Sequence, residues 1–204
     1  AIDVIQEETT EDMEMMAAIS PSDKPYLKTG VFTTWKQRVP WLLLLMISAT
    51  FTSTIIASYE GALATSVVLT GFIPMLMDTG GNAGSQSSIT VIRGLSLGEI
   101  RYRDVPRLVG KELCVAVLCG LSLAAANFIK LMLVDRVTLP VAAVVSLTLV
   151  CVVLVSNFVG SVLPVLAKRI GFDPAVMASP FITTIVDAVA LIIYFNIAKL
   201  LLGI

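Results

Sequence analysis

Five apolar stretches, residues 41–59, 62–77, 113–134, 139–167 and 175–204, decide what this chain can fold into. About 20 residues of helix cross the ~30 Å hydrocarbon layer of a bilayer, and all but the second stretch reach or approach that length. Hydrophobic residues make up 56% of the chain and charged ones 14%, against about 45–50% and 25% in soluble domains. The expectation is an all-α, polytopic transmembrane domain with five spans. The second stretch, 62–77, is short and runs into a glycine-rich segment. That pattern predicts a helix ending inside protein or in a wet cavity, where irregular backbone is tolerated at membrane depth.

Basic residues orient the spans. Lys24, Lys28, Lys36 and Arg38 precede the first; Arg93, Arg101, Arg103, Arg107 and Lys111 separate the second from the third; Lys168 and Arg169 follow the fourth. The other connections hold only Glu60 and the Asp135/Arg136 pair. The positive-inside rule then predicts a cell-membrane protein with a cytoplasmic N-terminus and an outer C-terminus. A net charge of -1 without a basic cluster excludes a nucleic-acid surface. Cys114, Cys119 and Cys151 fall inside spans without metal-ligand spacing and read as packing residues. The first apolar run starts too late for a signal peptide, and the opening at Ala1 reads as the middle of a longer protein.

Ahead of the spans, Asp3, Glu7, Glu8, Glu11, Asp12 and Glu14 form an acidic block interleaved with Met13, Met15, Met16 and Ile19. This predicts an acidic amphipathic helix on the cytoplasmic side, stopped by Ser20-Pro21-Ser22-Asp23. Mutual repulsion of its carboxylates points to a gate that needs cations to dock, the alternative being a solvated linker helix. Residues 25–30 read as a hinge, and 31–39 as an interfacial approach with Trp35 and Trp41 at headgroup depth.

Two polar constellations interrupt the apolar runs. The first is Pro74 through Gln86, where Pro74 is expected to free the carbonyl of Thr70 and Gly80, Gly81 and Gly84 allow close approach. Asp78, Asn82 and Gln86, spaced by four, share a face if the segment is helical; a plain loop is the competing expectation. The second is in the last span, where Asp173 caps the helix and Pro180 is expected inside it, freeing the carbonyl of Val176. Ser179, Thr183 and Asp187 then form a polar stripe. Asp187 is the sharpest signal, because an ionised carboxylate at bilayer depth costs about 2.5–3.5 kcal/mol on insertion scales and persists only with compensation.

With no histidine in the chain and no thiol near Asp187, the donor set suits a hard cation. Magnesium is commonly held through its own water shell by one or two carboxylates. A symmetric dimer would bring two Asp187 side chains together, and a divalent cation between them would offset their repulsion.

Pro74 with Thr79-Gly80-Gly81-Asn82-Ala83-Gly84-Ser85-Gln86, the 157–164 stretch, and Asp173-Pro174 through Ser179-Pro180 to Asp187 resemble the membrane domain of the MgtE magnesium channels, relatives of the vertebrate magnesium solute carriers. The resemblance implies a homodimer with five helices per subunit and a pore at the dimer interface, formed chiefly by the second and fifth. Hydrated Mg²⁺, the transported and bound ion, would sit at the Asp187 pair, with backbone oxygens near Ser179 and Thr183 contributing. Asp78, Gly81 and Asn82 join these as candidate metal-site residues. Ser179 stands where some members have Asn, and Thr183 where some have Ala.

The family places a cytosolic helical domain and paired CBS domains ahead of the membrane part. Residues 1–8 then read as the tail of a CBS domain, 9–39 as the connecting or plug helix with its linker, and 40–204 as the channel domain. Without the CBS domains, the acidic helix is expected to be untethered. The chain is expected not to be an enzyme. The alternatives are a proton- or sodium-coupled divalent cation transporter, with Asp187 as its protonation site, and a membrane anchor whose polar stripe only packs helices.

Overall fold

The computed structural model describes residues 10–21, 26–61, 67–177 and 179–203. Five long helices carry the fold: α1 (Val31–Ser58), α2 (Ile73–Ser96), α3 (Val105–Leu133), α4 (Leu139–Arg169) and α5 (Ser179–Leu202). Short 3-10 turns at Tyr26–Lys28, Val67–Phe72, Tyr102–Asp104 and Pro174–Met177 separate them, and residues 10–16 form a further short helix. No strand occurs among the described residues.

Proline marks where four of these helices begin. Pro74, Pro106, Pro140 and Pro180 are each the second residue of their helix, where the missing N–H has no intrahelical partner to lose. This corrects two expectations. Neither Pro74 nor Pro180 interrupts a helix; each starts one. The expected span over 62–77 is also replaced: residues 62–66 lie outside the described set, 67–72 form a 3-10 turn, and the helix starts at Ile73 and runs through the glycine-rich segment to Ser96. That segment is neither loop nor helix end, because its small residues are buried against neighbouring helices. At the first span, the helix begins at Val31 and passes through Pro40, so the expected interfacial approach is its first turns.

The helices alternate in direction. One end of the bundle gathers Leu69 before α2, Leu131 near the end of α3, Val141 near the start of α4 and Ala198 near the end of α5, with Ile55, Ile56 and Tyr59 packed alongside. The other end gathers Val91, Leu95 and Val165 with Ile100, Val105 and Leu108. α1, α3 and α5 therefore run one way and α2 and α4 the other. Both termini of the described chain are fixed by this layout: residues 10–16 pack at the end that holds Ile92 and Ala175, while α5 finishes at the opposite end.

α1, α3, α4 and α5 are long and apolar enough to cross a membrane. α2, with 24 residues, is about 36 Å long at 1.5 Å per residue, but it is too polar to qualify by composition. It is packed between α4 and α5. Gly80, Gly81, Gly84, Ser85, Ser87, Ser88 and Gly94 are its buried small residues, and Gly160 of α4 sits directly on the carbonyl of Gly84. α1 touches chiefly α5 and buries no residue; Thr50, Ser53 and Thr54 spend their hydroxyls on carbonyls of their own helix.

Candidate ion site

α2 and α5 share a cavity of about 440 Å³, walled by Pro74, Met77, Asp78, Gly81 and Asn82 from one helix and Thr183 and Asp187 from the other. The spacing explains the wall. Residues 78, 81 and 82 lie three and four apart, as do 183 and 187 by four, so each set occupies one helical face. Among the described residues, neither Lys nor Arg lines the space. The Asn82 side-chain amide donates to Asp78 Oδ2 at 3.2 Å. The Thr183 and Thr184 hydroxyls both donate to the Pro180 carbonyl at 3.0 Å, within the first turn of their own helix. Asp187 and Asp78 are close enough for their charges to interact.

Five of the six expected metal-site residues thus meet in one place: Asp78, Gly81, Asn82, Thr183 and Asp187. The side chain of the sixth, Ser179, lies outside the described set. Gln86 does not join them. Four residues advance a helix by about 400°, so a spacing of four drifts about 40° at each step. Asp78 faces the shared cavity, Asn82 borders both it and a second cavity, and Gln86 lines only the second. Among the described residues no three His, Cys, Asp or Glu side chains cluster to chelate a metal. Two carboxylates facing one cavity suit an ion that keeps its water.

Asp173 caps as expected, but a different element: its Oδ1 accepts from the backbone N–H of Ala175 at 2.8 Å, closing the 3-10 turn Pro174–Met177 ahead of α5. Beside that turn, Lys168 Nζ donates to the Leu95 carbonyl at 2.8 Å, tying the ends of α4 and α2. Here the sequence reading missed a contact. Met15 and Met16 pack against Ile92 and Ala175, so the short N-terminal helix is docked on the bundle, against the expectation that it is untethered. The signal was present in the apolar Met15-Met16 pair; its receiving surface is assembled from Ile92 near the end of α2 and Ala175 in the turn before α5, both far away in the sequence. Also missed was Glu112, which the expected third span, starting at Leu113, left outside; α3 starts at Val105 and carries it inward.

Long apolar helices around a cavity with two carboxylates and no base define a membrane protein suited to cations. The profile of the MgtE family, described as a divalent cation transporter, matches residues 73–197, from the first residue of α2 into the last turns of α5. The chain belongs to the MgtE family. It is 36% identical, over 98% of its length, to the magnesium transporter MgtE of Thermus thermophilus, covering 44% of that protein. It is 34% identical to the magnesium transporter MgtE of Enterococcus faecalis and 32% identical to that of Bacillus subtilis, covering 98% and 97% of itself and 43% of each. The chain spans less than half the length of these curated relatives.

Proposed function

We propose that this chain forms a magnesium channel domain that passes hydrated divalent cations through a pore at a homodimer interface, with Asp187 of each subunit as the selecting carboxylate. The observation that carries the reading is the shared cavity, in which Asp187 and Asp78 face polar groups and no base. A carboxylate at membrane depth is retained where a cation compensates it. Thr183 and Asn82 would hold water of the ion's shell, Gly81 would let α2 approach α5, and the backbone near Ser179 would add oxygens. In this reading α2 is the fifth span. Its polar face needs a wet, protein-lined position, and it packs between α4 and α5.

The same reading sets the orientation. Arg93, Lys168 and Arg169 lie at one end of the bundle, with residues 10–16 beside them, and positive charge marks the cytoplasmic side. The N-terminus is then cytoplasmic and α5 ends outside. Residues 1–8 would be the tail of a cytosolic CBS domain and residues 9–39 the plug helix and its linker; the shorter length relative to the relatives accommodates such preceding regulatory domains. The deciding experiment is Mg²⁺ uptake and current in proteoliposomes for the chain and Asp187→Ala. Loss of Mg²⁺ flux with insertion intact is expected; unchanged flux removes Asp187 from the path. Flux that follows an imposed proton or sodium gradient would instead establish coupled transport.

A further inference from the structure

A second cavity, of about 720 Å³, lies on the other flank of α2, against α3 and α4. Its polar lining includes the carboxylate of Glu112, the amides of Asn82, Gln86 and Asn157, and the hydroxyls of Ser87 and Thr90, with no Lys or Arg among the described residues. Glu112 is half-buried on α3, and among the described residues it has no ion pair or hydrogen bond. Asn157 is only 6% exposed. Its backbone carbonyl accepts from Ser87 Oγ at 3.2 Å, but its side-chain oxygen has no hydrogen-bond partner among the described residues. Leaving such a buried acceptor unmade is unfavourable, and a donor arriving in the cavity removes that cost.

We infer that this cavity is a second site for a hydrated divalent cation, with Glu112 supplying the charge and Asn157 accepting from the ion's water shell. A lone carboxylate cannot chelate, but magnesium-like ions are held through bound water by one or two carboxylates. Six waters at about 30 Å³ each occupy ~180 Å³, well within the space. Asn82 lines this cavity and the Asp187 cavity alike, so the two sites meet at one side chain. The inference rests on the proposed channel reading for its place beside the path, and on the Glu112–Asn157 chemistry alone for its existence.

The test uses the chain in lipid nanodiscs with Mn²⁺ as a paramagnetic probe, counting bound ion from the loss of the free Mn²⁺ resonance. Asp187→Asn should retain a bound Mn²⁺ population, and adding Glu112→Gln should remove it, while Glu112→Asp restores part. Asn157→Leu should weaken that population's affinity several-fold. If Glu112→Gln does not remain monodisperse, Glu112→Asp and Asn157→Leu carry the test, and unchanged Mn²⁺ affinity in both overturns the site. The same Mn²⁺ bound after Glu112→Gln as before it also overturns the site. If instead Glu112→Gln removes a population and Asp187→Asn removes none, the second site stands and the Asp187 reading falls.

Discussion

Thr183 lies against Gly81 so closely that a Cβ placed on the glycine would fall 2.9 Å from the threonine Cγ2. The approach of α2 to α5 beside Asp187 therefore depends on a hydrogen at position 81, and the atom in the way is a methyl group. Gly81→Ala should lower Mg²⁺ uptake into dye-loaded proteoliposomes. Adding Thr183→Ser, which deletes that methyl, should restore most of it. Gly81→Val should remain impaired in either background. Full uptake by Gly81→Val would show that the two helices do not need this contact.

A different glycine pair tests packing instead of conduction. A side chain on Gly160 would meet the carbonyl oxygen of Gly84, whereas one on Gly110 would meet nothing within 4 Å. Overpacking a tight contact costs about 1–3 kcal/mol, and backbone yields less readily than a side chain. Gly160→Ala should therefore lower the melting temperature of the detergent-solubilised protein. Gly110→Ala should leave it unchanged or raise it, since alanine is favoured over glycine in a helix interior by up to about 1 kcal/mol.

These contacts also mark how far the residues announced the fold. The strongly apolar runs became α1, α3, α4 and α5, with the starts of α1 and α3 several residues earlier than expected, because hydropathy locates the apolar middle of a helix and says little about its polar first turns. The stretch that misled was 73–96. Its glycines and its one proline read locally as a turn, yet Pro74 is at a helix start and Gly80, Gly81 and Gly84 are where Val152, Val186, Thr183 and Ile182 press in. Propensity was overridden by tertiary packing. Asp187 stood out because charge in an apolar run is costly wherever the run folds, and spacing by four tied Asn82 to Asp78 and Thr183 to Asp187. Glu112 did not stand out, and Asn157 did so only as the start of the 157–164 stretch, since their sharing one cavity depends on how α3 and α4 rotate around α2, which no periodicity within one helix encodes.

The two carboxylates of the shared cavity should differ in effect. Asp78 is held by the Asn82 amide, while Asp187 has no hydrogen-bond partner among the described residues. Asp187→Ala should abolish Mg²⁺ flux and Mg²⁺ block of monovalent current together. Asp78→Asn should weaken Mg²⁺ block by about tenfold, ~1.4 kcal/mol, leaving monovalent current intact. Equal effects of the two substitutions in current recordings would contradict the asymmetry.

The docked N-terminal helix gives the last prediction. Met15 and Met16 contact Ile92 of α2 and Ala175 beside α5, so the helix bridges the ends of the two helices that wall the Asp187 cavity. Its carboxylates Glu11, Asp12 and Glu14 oppose docking by repelling one another, and cations relieve that repulsion over a screening length of about 8 Å at physiological salt. Apolar contact and cation screening should therefore act in the same direction. Met15→Ser with Met16→Ser should speed hydrogen exchange at residues 10–16 and raise Mg²⁺ flux when millimolar-scale Mg²⁺ bathes that end. Neutralising Glu11, Asp12 and Glu14 should do the opposite to exchange, protecting the segment even without Mg²⁺. If the serine variant exchanges and conducts like the parent, the Met contacts do not hold the helix. If neutralisation leaves exchange dependent on Mg²⁺, the cation acts elsewhere in the bundle.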